Sequence, residues 1–303
     1  MATPAPLDAN EFNGFDVAGG LVPAEKILRG GPARDGIPAI DHPVFFSAAK
    51  AKEFYPADSR ALVVRHANEV KVYPIRVLDW HEVVNDTIGG VPIAVTWCPL
   101  CGAGVVFRAQ VGKDRLRFGV SGLLYQSDVL LYDRATESLW SQLQRQAISG
   151  KHKGTRLQVL PSKVVCLETL LDSDKVQVLS TQTGCVRAYS REAYANYKNN
   201  RQLMFPVEYG DDKAPAKAWS AILIGPDASL IVPLPSLDPT GKTLQVRVGS
   251  KRVDLEYDSD TEVLNCTSPV KGITCLTGYY FALRAFHPEA RVYEAERNGT
   301  AKK

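Results

Sequence analysis

From Ala61 onward, short apolar runs alternate with turn-forming residues: ALVV, VKVYPI, VPIAVTW, VVFRAQV, RLRFGV and DVLLYD. Period-two alternation and β-branched content predict strands for most of them. Helical spacing is confined to a few segments. IRVLDWHEVVND, over 75–86, places Leu78 and Val84 toward a core and puts His81 and Asn85 on one other face. REAYANYKNN follows a possible N-cap at Ser190 and carries an aromatic face at Tyr194 and Tyr197, and 277–286 is a further candidate. Together these elements predict a β-rich α+β protein with few helices, not an alternating Rossmann pattern.

Internal similarity adds organisation. LLYDRATESLW (130–140) aligns with LEYDSDTEVLN (255–265) at six of eleven positions, and ALVVRHANEVKVYPIRVLD (61–79) aligns with AILIGPDASLIVPLPSLD (221–238) after one deletion. Two matches in one order suggest a duplicated β unit. The expected division is a Gly/Pro-rich arm over 1–45, a first lobe over 46–205 and a second, structural lobe over 206–303. RGGPARDGIPAIDHP, from Arg29 to Pro43, forbids long helices and reads as turns wrapped over a surface. The first lobe alone contains HEVVND and WCPLCG, so its chemistry should reside there.

Composition narrows the classes. The chain has 303 residues, 45% hydrophobic and 23% charged, with 36 basic and 33 acidic residues giving a net charge of +3. That is globular composition without the basic stripe that phosphate neutralisation needs, so no nucleic-acid partner is expected. No apolar run approaches the ~20 residues of a membrane span, and the opening residues lack a signal peptide's basic start and apolar core. The chain as written therefore reads as cytoplasmic and not inserted in a membrane. Six cysteines are too few for a disulfide scaffold at this length.

The chemistry centres on TWCPLCGAGVVF (96–107). Two thiolates on one tight turn suit zinc or copper, and the absence of a second CPxCG knuckle argues against a four-cysteine ribbon. A thioredoxin-like redox pair, a structural disulfide or buried thiol pair, and a cysteine nucleophile with a histidine base are the alternatives. Against the redox reading, Gly102-Ala103-Gly104 and the following Val105-Val106-Phe107 read as turn and strand, so no helix N-terminus lowers a thiol pKa. His81, preceding the strand that delivers Cys98, is the expected third ligand and a candidate catalytic base. In SGLLYQSDVLLYDRATESLWSQ (121–142), Tyr125, Ser127, Asp128 and Trp140 are candidate substrate-binding residues. Tyr132, Asp133, Thr136 and Glu137 recur in the second copy and read as turn-formers.

YPIRVLDWHEVVND, GGVPIAVTWCPLCGAGVVF, FGVSGLLYQSDVLLYDRATESLWSQ and the early GGPARDGIPAID together resemble a bacterial family of unknown function, DUF3179. The resemblance implies that these stretches are the family signature and supports Cys98, Cys101 and His81 as one site. It also implies that relatives are often exported. The expectation is thus a transition-metal-binding protein, copper or zinc, that acts as a metal-dependent oxidoreductase on a small-molecule substrate or receives its ion from a metal donor. A metal-free thiol–disulfide oxidoreductase using the same cysteines and a non-catalytic interaction module are the rivals.

Overall fold

The computed structural model describes residues 12–173 and 175–295, and the chain divides into two compact units, Met1–Pro206 and Val207–Lys303. Among the described residues strands dominate, and the four α-helices are each seven residues or shorter.

The first unit is built from three larger sheets and a two-stranded ribbon. One sheet orders Ile27–Arg29, Phe118–Tyr125, Asp128–Asp133, Leu139–Ser141 and Gln146–Ala147. A second orders Val159–Leu160, Ala103–Arg108, Val91–Cys98 and Val83–Ile88. The third orders Ser162–Cys166, Arg60–His66, Glu69–Pro74, Val176–Leu179 and Phe45–Ser47. The arm is packed, not draped: Phe12, Phe15, Val17, Val22 and Ile27 are buried against Leu123, Leu130, Tyr132, Leu139 and Ile148. Each such side chain contributes about 1.5–3 kcal/mol by leaving water. Arg34 stacks over the rings of Phe15 and Tyr132 and pairs with Glu137 at 2.7 Å, closing the arm onto the sheet. The arm's residues 1–11 lie outside the described residues.

The expected helix over 75–86 is corrected. The helix is Ile75–His81; Glu82 then takes a left-handed conformation at φ 56°, and Val83–Ile88 is a strand. The run VVNDTI is β-branched, and Gly89 and Gly90, at φ 53° and 77°, close a two-residue hairpin to Val91–Cys98. Pairing with Val91–Cys98 on one side and a bridge from Val84 to Ile40 on the other outweigh a helical spacing carried by Leu78 and Val84. Asn85 consequently leaves the His81 face: its side chain bonds Asp41 and both backbone groups of Phe118. Similarly, the segment after Ser190 is helical only over Ala195–Lys198, and 277–279 belong to the strand Thr274–Tyr279 that precedes the helix Tyr280–Phe286.

The second unit has a sheet ordered Thr274–Tyr279, Trp219–Ile224, Ser229–Pro233, Arg291–Val292, and a three-stranded sheet of Thr243–Val248, Lys251–Asp258 and Val263–Cys266. Local likenesses to the first unit are plain. Asp133 and Asp258 each accept a hydrogen bond from the backbone N–H three residues on, at Thr136 and Thr261, and each turn closes through a left-handed glutamate, Glu137 or Glu262. Each unit also has a hairpin flanked by an antiparallel strand on one side and a parallel strand on the other.

One buried ion pair ties two sheets of the first unit together. Lys71 Nζ donates to both carboxylate oxygens of Asp86 at 2.9 Å and to Thr87 O at 2.7 Å, while Tyr73 OH donates to Asp86 at 2.7 Å. The side chains of Lys71 and Asp86 are only 10% and 8% exposed, so removing one partner strands a charge. Lys71→Met should lower unfolding stability by about 3–5 kcal/mol in urea titrations. A loss below ~1 kcal/mol would mean that water reaches Asp86 and replaces the lysine.

Candidate metal centre

The cysteines occupy the end of a hairpin whose strands, Val91–Cys98 and Ala103–Arg108, pair Cys98 with Ala103. The turn Pro99-Leu100-Cys101-Gly102 returns the chain through a left-handed Gly102 at φ 56°, a conformation glycine adopts at little cost. Thr96 Oγ1 donates to Val105 O at 2.7 Å, and Gln142 Nε2 donates to Thr96 Oγ1 at 2.9 Å, so the hairpin end is braced by buried polar groups. Cys98 and Cys101 are 1% and 0% exposed.

A second hairpin meets the first at its tip. Phe118–Tyr125 and Asp128–Asp133 are joined by Gln126 and Ser127, both left-handed at φ 53° and 63°. Hairpin loops of this kind favour Asn-Gly, and a residue with a Cβ in this conformation costs about 1–2 kcal/mol. That strain aims the Ser127 carbonyl at the cysteines, where it accepts from Cys98 Sγ at 3.7 Å and Cys101 Sγ at 3.3 Å. Asp128, the next residue, is fully buried; its Oδ2 accepts from Leu143 N at 2.9 Å, while Oδ1 has no hydrogen-bond partner. The two sulfurs and an Asp128 carboxylate oxygen all lie within 4.8 Å of one another.

Two further acids, Asp79 through its carboxylate and Glu82 through its backbone carbonyl, bond Trp97, the residue before Cys98. Glu82 is 7% exposed and follows the helix Ile75–His81. Its backbone is clamped from both sides: the N–H donates to Leu78 O at 2.7 Å and the carbonyl accepts from Trp97 N at 2.8 Å. Burial pushes Glu82 up to about 8, with Asp79 and Asp128 adding like charge, and pushes Asp128 up to about 7. Asp79, which accepts from Trp97 Nε1 at 2.8 Å, is also raised by burial. Both thiols are pushed above their ordinary value for the same reason. In the absence of a bound cation, these groups hold their protons to higher pH than usual.

His81 is not part of the group that lies together: the donor atoms within 4.8 Å of one another are those of Cys98, Cys101 and Asp128. The His81 ring bridges Pro38 O, 2.7 Å from Nδ1, and Tyr189 OH, 2.6 Å from Nε2. Burial lowers its pKa, and in the neutral tautomer Nδ1–H donates to Pro38 while Nε2 accepts from Tyr189. Both nitrogens are thus spent on tying the arm and the Tyr189 segment to the helix. Of the residues expected to bind substrate, Ser127 and Asp128 reach the cysteines. Tyr125 packs instead against the arm's apolar cluster. Trp140 donates to Asp133 Oδ2 at 3.0 Å and packs edge-on against Phe118, which makes it a hairpin brace. Sequence reasoning missed Glu82 and Asp79; the signal was an acidic residue at the junction of a helical run and a β-branched one.

Two outcomes test this description of Glu82. Glycine is the residue best suited to the left-handed position after a helix, so Glu82→Gly should raise stability by about 1 kcal/mol near pH ~4, where ionisation contributes little. A loss of stability would show that the carboxyl is satisfied in the fold. The pH dependence has a definite sign. The unfolded chain releases the Glu82 proton near pH ~4 and the folded chain near about 8, so the unfolded state gains progressively across that window. In metal-free protein, Glu82→Gln should match wild type at pH ~4 and exceed it by roughly 2–5 kcal/mol at pH ~8 in urea titrations. A difference independent of pH would mean that water solvates the carboxylate.

Comparison with known proteins agrees with the signature read from the chain. No curated protein and no solved structure matches at a significant level. A family model described as a protein of unknown function, DUF3179, matches residues 34–275, a span that holds both hairpins, Glu82 and every donor of the cluster. With that match covering most of its length, the chain belongs to the DUF3179 family.

Proposed function

We propose that this protein binds a transition-metal ion through Cys98, Cys101 and Asp128. The observation that carries the reading is the convergence of two thiols and an orphaned carboxylate oxygen within 4.8 Å in a buried setting. A buried polar atom without a partner costs free energy, and a cation would satisfy it while displacing the thiol protons. Two sulfurs and one oxygen suit zinc; the carboxylate counts against copper(I), which favours an all-sulfur set. Three protein ligands leave a fourth position, and a bound ion would there act as a Lewis acid or exchange with a metal donor. In this reading the hairpin ends hold the donors in register, and burial of Cys98, Cys101 and Asp128 limits access of water to them.

The thiol–disulfide alternative has one observation in its favour, the proximity of the two sulfurs. Against it, burial raises both thiols, whereas a reactive cysteine needs a depressed pKa. We further propose that the second unit is a duplicated scaffold without the site. Its hairpin and sheet patterns match the first unit, but only residues 237–242 separate the turn Leu234–Ser236 from Thr243–Val248, leaving no room for a cysteine hairpin.

Plasma mass spectrometry on untagged protein, with thiols counted on the same sample, tests the reading. About one equivalent of zinc is expected, lost in a Cys98→Ser/Cys101→Ser variant. Asp128→Asn should weaken binding on the order of 10–100-fold or more. Equal metal content in wild type and the double variant would refute the site, and metal-free protein with two blocked thiols would favour the disulfide.

A further inference from the structure

Both cysteines are fully buried, yet the segment bonded to the ends of their two hairpins is itself mostly exposed. Over residues 181–206 only Tyr189 and Tyr197 are buried, at 9% and 8% exposure. No strand crosses this stretch, and its one α-helix is the four residues Ala195–Lys198. Each buried tyrosine is bonded to the scaffold. Tyr197 OH donates to Leu100 O at 3.1 Å, in the turn between Cys98 and Cys101. Tyr189 OH lies 2.6 Å from both His81 Nε2 and Thr183 Oγ1, its ring stacks on His81, and its carbonyl accepts from Arg76 Nη1 at 3.4 Å. Farther along, Phe205 O accepts from Ser127 Oγ at 2.8 Å, and the Ser127 carbonyl in turn accepts from both cysteine thiols. The segment is therefore tied to both hairpin ends that meet at the cysteines.

We propose that residues 190–206 form a strap whose release from Leu100 and Ser127 gives small molecules access to Cys98 and Cys101 while the sheets stay paired. Release breaks the Tyr197–Leu100 and Ser127–Phe205 hydrogen bonds and exposes one tyrosine ring. Exposing the thiols by unfolding instead means parting Val91–Cys98 from both of its neighbouring strands, Val83–Ile88 and Ala103–Arg108. A segment with few buried apolar side chains opens at lower free energy than paired strands in a core. Tyr189, held by His81, Thr183 and Arg76, stays in place as the hinge. The strap does not depend on the metal reading, because an incoming ion, an oxidant and an alkylating agent all need the same route to the sulfurs.

Iodoacetamide labelling tests the strap. The protein is first freed of metal by a chelator and of any disulfide by a reductant that is then removed, and each cysteine is followed by peptide mass spectrometry across sub-denaturing urea. In wild type, Cys98 and Cys101 should label at a rate that urea barely changes, because the opening exposes little surface. Tyr197→Phe and Ser127→Ala each remove one strap bond and should speed that labelling about 2–10-fold, the equivalent of one net hydrogen bond. Cys166, buried in the strand Ser162–Cys166 of a different sheet, is the internal control and should keep its wild-type rate in both variants. Labelling of Cys98 and Cys101 that rises with urea as steeply as global unfolding would overturn the strap. So would variants that leave their labelling unchanged or that speed Cys166 equally. The wild-type urea dependence decides between strap release and unfolding even where a variant fails to fold.

Discussion

The first unit gathers two thiols and a carboxyl where water does not reach, and among the described residues no basic side chain is bonded to them. Cys98, Cys101 and Asp128 are at most 1% exposed, and Glu82 is 7% exposed. Elsewhere the same unit shows how a buried carboxylate is normally satisfied: Asp86 receives Lys71 twice, Tyr73 and a backbone N–H. The contrast is within one fold, so it reflects a local choice and not a general tolerance for buried charge. Acids buried without a cationic partner hold their protons to higher pH or hold a cation.

The scaffold spends conformational energy to make that arrangement. Glu82, Gln126 and Ser127 all occupy left-handed backbone that glycine would adopt more cheaply, and the Ser127 carbonyl accepts from both cysteines. Gly89, Gly90 and Gly102, which turn the neighbouring hairpins, show that glycine is used in this unit where only the turn matters. At Ser127 the side chain adds a bond to Phe205 O at 2.8 Å, and at Glu82 it adds the carboxyl. The strained positions therefore carry side chains that do something a glycine would not.

Much of this was legible in the chain. The alternating runs marked most of the strands because a sheet with one buried face writes its period directly into the sequence. CPLCG identified the cysteine turn because a short spacing closed by glycine marks a tight return of the chain, and the reuse of YD and TE in two hairpins marked Asp133 and Thr136 as turn-formers, which their hydrogen bonds explain. The helix over 75–86 was overextended because local periodicity does not report that Val83–Ile88 has a partner strand. His81 was chosen as a ligand because sequence proximity to Cys98 stood in for distance.

What the sequence by itself determined is the β-rich class, the cysteine turn and the family signature, all properties of residues near one another along the chain. The tertiary structure alone decided which side chain meets the cysteines. Asp128 reaches the thiols because two hairpins separated in sequence end at the same place, and His81 does not because its two nitrogens are committed to Pro38 and Tyr189. Pairing between distant strands sets such meetings, and its energy lies in contacts that no local pattern encodes.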